Sequence, residues 1–145
     1  MAKMHSDGRG SSGSSNPVNN KEPRWLEYDE EEVEDLVLKL RDNGLSPSEI
    51  GLELRDSYGI PDVKTITDKK ITEILQENDA EPEIPEDLQN LLDKAESIRE
   101  HVDENPKDTQ AERRLELTEA KIRRVANYHR ENGNIDEDWE YGSGE

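Results

Sequence analysis

Two groups of residues in this chain have the types and spacing to do chemistry. The first is the segment H-V-D-E-N-P-K-D, which brings the imidazole of His101 close in sequence to the ammonium of Lys107 and the carboxylate of Asp108. The second is a run of cations: Lys107, Arg113, Arg114, Lys121, Arg123, Arg124 and Arg130 give residues 107–130 a net charge of +3 in a chain of −18. An acidic protein that gathers arginines on one helix is suited to an anionic partner, phosphate above all. The same run also reads as a solvated helix laced with its own ion pairs, the commoner meaning of such runs. His101 and Asp108 carry a similar pair of readings. They can offset a helix C-terminal dipole and cap the following helix, or they can meet 2′-hydroxyls and base edges in a shallow RNA minor groove. Spacing alone leaves both open.

Enzymatic chemistry finds little support. There is no nucleophile elbow, no phosphate-cradling glycine loop between strand and helix, and no His-x-x-x-His pair. The three histidines, His5, His101 and His129, are far apart, and carboxylate pairs arise by chance among 37 acids. With no cysteine, disulfides, thiolate metal sites and thiol nucleophiles are excluded. Neither a cofactor nor a bound metal is expected.

The elements that position these groups read as helices throughout. Asp29 caps a first helix whose Val33, Leu36, Val37 and Leu40 form an apolar stripe, ended by Asn43-Gly44. Ser46-Pro47-Ser48-Glu49 is a capping box with proline at the first helical position, opening a helix through Tyr58 that Gly59 closes. The spacing predicts a third helix over Asp68–Asn78, capped by Thr67, with Ile71, Ile74 and Leu75 apolar. An acidic, proline-bearing linker follows at 80–84. Pro85 then starts a long helix striped by Leu88, Leu91, Leu92, Ala95, Ile98 and Val102. After a loop at Glu104–Lys107, a last helix over Asp108–Glu131 turns Ala111, Leu115, Ile122, Val125 and Ala126 inward. Leu117 and Tyr128 fall off that inner face. The expected fold is all-α: a flexible N-terminal arm (1–24), a three-helix part (25–80), a long antiparallel helical hairpin (81–132) and a frayed acidic tail (133–145) that Trp139 and Tyr141 could dock.

Composition sets the remaining bounds. Apolar residues make up 29% and phenylalanine is absent, which favours helical hairpins over a thick sandwich core. No run approaches a membrane span, and the N-terminus lacks the apolar stretch of a secretory signal, so a soluble intracellular protein without a membrane partner is expected. Residues 1–24, rich in Gly, Ser, Asn and Pro, carry a net +2. They read equally as a linker or as an arm that orders on RNA. Residues 25–106 carry −17 and residues 131–145 a further −6. Acid spread over predicted solvent faces favours adaptation to high intracellular salt over a dedicated acidic binding surface.

Three short helices with a Gly-Leu-Ser-Pro turn also suggest a helix-turn-helix DNA reader. Its recognition helix would be Asp68–Asn78, which offers Lys69 and Lys70 but also Asp68, Glu73 and Glu77, and lacks the Arg, Asn or Gln that reads base edges. An acidic helical adaptor that binds only proteins is the other alternative.

The segment IREHVDENPKDTQAERRLELTEAKIRRVANYHR resembles the signature of the small-subunit ribosomal protein fifteen family. Its histidine-bearing helix end is matched by Ile98–Val102, its Lys-Asp by Lys107-Asp108, and its arginine pair with the following tyrosine by Arg123-Arg124 and Asn127-Tyr128. Upstream, MAKMHS and LSPSEIGLELRDSYGIPDVKTITDKKITEIL are similar to the N-terminal extension of the archaeal and eukaryotic branch. The resemblance implies a structural RNA-binding protein with no small-molecule substrate. It would bind the central domain of small-subunit ribosomal RNA at a three-way junction and an adjacent minor groove. Further partners would be neighbouring ribosomal components and, at an intersubunit bridge, large-subunit RNA. His101 and Asp108 would then occupy the tip that reads the groove. Tyr128 and Lys94 would lie towards the junction, and Arg123 and Arg124 would hold phosphates. The implied RNA surface is completed by Lys107, Arg113, Arg114 and Lys121, and residues 81–132 would carry most of the affinity. Asn105 and Ala111 depart from the histidine and serine common in the family.

Overall fold

The computed structural model describes residues 12–15, 18 and 21–142; most of the expected N-terminal arm and the last three residues of the tail lie outside them. Among the described residues there are six helices and no strand, as the apolar periodicities require. They are α1 (Glu30–Asp42), α2 (Pro47–Ser57), α3 (Val63–Thr67), α4 (Ile71–Glu77), α5 (Glu86–Glu104) and α6 (Thr109–Glu131).

Capping chemistry fixes the first two. The Asp29 N–H donates to Glu32 Oε2 at 3.0 Å, and Gly44, at φ +91°, carries the chain out of α1 with its N–H on the Arg41 carbonyl. At α2 the Ser46 N–H donates to Glu49 Oε2 (2.9 Å) and the Glu49 N–H donates back to Ser46 Oγ (3.4 Å). These bonds hold the Glu49 carboxyl below the usual range.

The predicted third helix is corrected to two. Thr67 does not cap Asp68–Asn78: it ends α3, is buried, and donates its hydroxyl to the Val63 carbonyl at 3.0 Å. Asp68 sits in the left-handed region at φ 55°, which no helix interior tolerates. The start signal lies upstream, where Asp62 accepts from the Lys64 N–H (3.1 Å) and the Thr65 hydroxyl (2.8 Å). The chain then re-enters helix at α4. There Lys69 joins elements far apart in sequence, its ammonium meeting Glu34 of α1 (3.1 Å) and Glu77 of α4 (2.8 Å).

Buried side chains fall into two clusters. Val33, Val37, Leu40, Ile50, Leu54, Ile60, Val63, Ile74 and Leu75 fill the space between α1 and α4. Leu88, Ala95, Ile122 and Ala126 line the seam between α5 and α6. Between the clusters, the N–H and hydroxyl of Ser48 both donate to Glu86 Oε2, at 3.1 and 2.9 Å. Asp87–His129 and Arg99–Glu119 contacts show that α5 and α6 run antiparallel.

The segment after α6 is not frayed as far as residue 142. Ile135, Trp139 and Tyr141 pack on the hairpin seam. Arg130 Nη2 donates to the Trp139 carbonyl (2.7 Å), and Arg99 Nη2 donates to the Tyr141 hydroxyl (2.7 Å). That hydroxyl in turn reaches Glu119 Oε1 at 3.3 Å. Trp139 and Tyr141 are the two aromatics that the sequence offered as docking points, and Ile135 joins them.

Candidate nucleic-acid interface

At the hairpin tip the sequence places His101 in the last turn of α5 and Asp108 as N-cap of α6. Asp108 caps α6 and meets His101 at once. Its Oδ1 accepts from the Ala111 N–H at 3.0 Å, while Oδ2 lies 3.1 Å from His101 Nε2. Together these hold the Asp108 carboxyl below the usual range, the His101 contact contributing most. Asn105 completes the cluster: its amide nitrogen donates to the His101 carbonyl (3.0 Å) and lies 3.5 Å from His101 Nδ1. The tautomer with its hydrogen on Nε2 satisfies both contacts, donating to Asp108 and accepting from Asn105 at Nδ1. His101, Asn105 and Lys107 are exposed, so the tip is both fixed and open to solvent. Ala111 is buried beneath it.

The cations of α6 separate into two sets. Arg113, Leu117, Lys121, Arg124 and Tyr128 recur every three or four residues along one solvent-facing line, with Arg114 beside it. Leu117 is 48% and Tyr128 60% exposed, which is why neither fits the inner stripe. Among the described residues Lys107, Arg114, Lys121 and Arg124 make no ion pair. Arg113 meets Glu116 at 2.6 Å on an exposed surface, where such a pair contributes little and exchanges readily. Glu112, Glu116 and Glu119 follow a different line, while Glu131 closes the helix three residues after Tyr128. Arg123 belongs to that second side, 3.9 Å from Glu119 and next to Arg130, Trp139 and Glu140 of the tail junction. Arg123 and Arg124, adjacent in sequence, therefore face different surroundings.

Lys94 is exposed on α5. The register set by the two cross-hairpin pairs puts it level with Arg123 rather than with Tyr128, further towards the open end. Tyr128 packs its ring edge-on against His129, centroids 5.2 Å apart at 72°.

Several residues that shape the site were not singled out by sequence reasoning. His129 is 6% exposed and binds Asp87 through Nε2 at 2.7 and 2.9 Å, while Asn134 reaches its Nδ1 at 3.0 Å. It staples the start of α5 to the end of α6. The signal was present: His129 follows Ile122 and Ala126 on the inner face at helical spacing. Thr118 is buried on the same face and donates to the Arg114 carbonyl at 2.8 Å. No group of three or more metal-ligating side chains occurs among the described residues.

Comparison with known proteins decides the family. A family described as ribosomal protein S15 matches residues 70–144, and the ribosomal S13/S15 N-terminal domain matches residues 1–60. The small ribosomal subunit protein uS15 of Natronomonas pharaonis is 52% identical over 145 residues, covering 97% of this chain and 94% of its own length. This chain belongs to the uS15 family. The uS15 protein of Haloarcula marismortui is 50% identical, covering 97% of this chain and 92% of its own. That of Methanoculleus marisnigri is 46% identical over 141 residues, covering 97% and 93%. The similarity to the archaeal branch of uS15 is borne out along the whole chain, including the N-terminal extension. The family is structural rather than enzymatic.

Proposed function

We propose that this chain is a structural constituent of the small ribosomal subunit that holds ribosomal RNA helices in a fixed mutual orientation. The RNA is the central domain of small-subunit ribosomal RNA, met at a three-way junction and an adjacent minor groove. The bound chain aids assembly and contributes to a bridge with the large subunit. The observation that carries this reading is the solvent-facing line of α6. In a chain of −18, it presents Lys121 and Arg124, with Arg114 beside them, which meet no carboxylate among the described residues, and the line begins beside a preorganised His101–Asp108 tip. His101, Asp108 and Lys107 read the minor groove through 2′-hydroxyls and base edges. Arg113, Arg114, Lys121 and Arg124 hold backbone phosphates. Tyr128 stacks or packs at the junction, with Lys94 and Arg123 on the flank nearest α5. No step requires turnover, a metal or a small molecule.

The relatives include proteins of halophilic archaea, which supports reading the acidity as adaptation to salt. Dense carboxylates keep the surface solvated, while screening weakens general attraction to phosphate. Recognition then rests on shape and on hydrogen bonds already set in the free protein.

The test is binding to a small-subunit RNA three-way junction in high potassium chloride, comparing wild type with His101→Ala/Asp108→Ala. Tight binding lost in the double variant supports the tip as the site. Binding that survives keeps the function but moves the site to the junction-facing helices. No binding by wild type overturns the proposal in favour of the protein adaptor, and preference for duplex DNA would favour the helix-turn-helix alternative.

A further inference from the structure

The chain has two tryptophans, and the fold treats them in opposite ways. Trp139 is half-buried on the hairpin seam. Trp25 is 66% exposed, although apolar side chains are scarce here and burying a large one stabilises a fold by about 1.5–3 kcal/mol. Its exposure does not come from a loose end. The Leu26 N–H closes a turn onto the Pro23 carbonyl at 3.2 Å, with Arg24 and Trp25 at its two central positions. Leu26 and Tyr28, immediately after, pack on the N-terminal core. Tyr28 meets Tyr58 edge-on, centroids 6.2 Å apart. One edge of the indole is seated over Gly59, whose φ of +69° closes α2; a Cβ there would lie 3.6 Å from Trp25 Cζ3. The ring is therefore anchored along one edge and open elsewhere.

Two cations adjoin it in sequence. Lys21 and Arg24, both exposed, make no ion pair among the described residues, as is also true of Lys39 and Lys64, whereas Arg55, Lys69 and Lys70 each meet a carboxylate. Lys21 and Arg24, with Glu22 between them, supply +1 of the net +2 of residues 1–24. An aromatic face flanked by free cations is the arrangement that binds single-stranded nucleic acid, where the ring stacks a base and the cations follow its phosphates.

We propose that Trp25 is a stacking platform for an unpaired RNA nucleobase, with Arg24 and Lys21 on the adjoining phosphates, forming a second RNA contact remote from the hairpin. The proposal rests on the RNA-binding reading above but uses none of the same residues. Stacking is insensitive to salt, so this contact suits the same high-salt environment as the preset hairpin tip.

The test titrates the full chain with single-stranded hexaadenylate RNA, reading tryptophan emission, and in parallel with the three-way junction. Hexaadenylate is expected to quench wild-type emission, with the quench retained at about 2 M potassium chloride. Trp25→Leu is expected to abolish the quench and weaken hexaadenylate binding by at least about fivefold, the lower end of a lost base–aromatic stack. Trp25→Tyr, which keeps a stacking face, is expected to retain most of the affinity and guards against a folding defect. Arg24→Gln is expected to weaken binding at low salt and to converge on wild type at high salt. Quenching that persists in Trp25→Leu, unchanged affinity in that variant, or stronger binding to a proline-rich peptide than to hexaadenylate overturns the proposal. So does junction binding by wild type with no hexaadenylate binding, which leaves the hairpin reading intact. Hexaadenylate binding without junction binding fails the hairpin reading and leaves this one standing.

Discussion

The two halves of this molecule use the same residue types in opposite ways. In the N-terminal cluster two cations are built into the fold: Lys69 bridges Glu34 and Glu77, and Arg41 donates to the carbonyls of Ala80 and Leu45. On α6 the cations of the outer line are held by little besides their own helix. The apolar content differs in parallel. Val33, Val37, Ile50, Leu54, Ile74 and Leu75 are completely buried in the first cluster, whereas the hairpin seam completely buries only Leu88 and Ile122. A cation already held by two carboxylates loses those bonds when it turns to a phosphate. A free one has nothing to give up. The difference teaches that position in a charge network, rather than charge itself, separates a binding arginine or lysine from a structural one.

Three experiments press on this contrast. The largest effect is expected in the cores. Leu54→Ala and Ile122→Ala should each cost about 2–5 kcal/mol in urea unfolding, the range for emptying a buried aliphatic site. Only Ile122→Ala should also impair junction binding at temperatures where the N-terminal cluster remains folded. Equal impairment by both would show that the halves act as one body towards RNA. Next, replacing Arg114, Lys121 and Arg124 together by glutamine should weaken junction binding more than about tenfold near physiological salt. It should also flatten the salt dependence by about two units of log–log slope. Arg55→Gln and Lys69→Gln should leave both unchanged, although Lys69→Gln should unfold at lower urea. Matching losses in the two sets would erase the distinction drawn here.

The smallest effect is a pH dependence at the tip. The folded-state pKa of Asp108 is lowered, chiefly by the His101 contact and then by the Ala111 N–H. Its stabilising contribution is therefore fully present above the ordinary carboxylate range, near pH 4, and is lost as pH falls through the lower folded value. The gap in melting temperature between wild type and Asp108→Ala should narrow as pH falls from about 5 to below about 4. A gap that widens over that range would mean that the cap and the imidazole contact do not stabilise the ionised form.

How far the sequence could be read depended on whether the signal was local. Ser46-Pro47-Ser48-Glu49 names its helix start because every bond involved lies within four residues. The stripes of α1, α5 and α6 were legible for the same reason, as was the cap at Asp108. Thr67-Asp68 misled because Thr67 resembles a cap, whereas the structure uses the pair as a stop. The stop is made by the Thr67 hydroxyl on the Val63 carbonyl and by Asp68 at φ 55°, and Lys69 then reaches back to Glu34 on α1, a contact that local pattern cannot encode. His129 was passed over as an isolated histidine, since its partner Asp87 comes 42 positions earlier. At the candidate site the residue types were legible, but their division was not. The two-sided split between Arg123 and Arg124 appears only once the tail is in place beside Arg130.

That docked tail has a consequence for how the molecule comes into being. Ribosomes build chains from the N-terminus, so α5 and α6 are complete before Trp139 and Tyr141 exist. During that interval Arg99 and Arg130 lack the hydroxyl and carbonyl that later restrain them. The nascent hairpin thus passes through a stage in which these two guanidinium groups keep only partners within the hairpin, Glu119 and Asn127, and its seam is uncovered. Maturation then withdraws them, leaving the outer line of α6 as the basic surface of the finished hairpin.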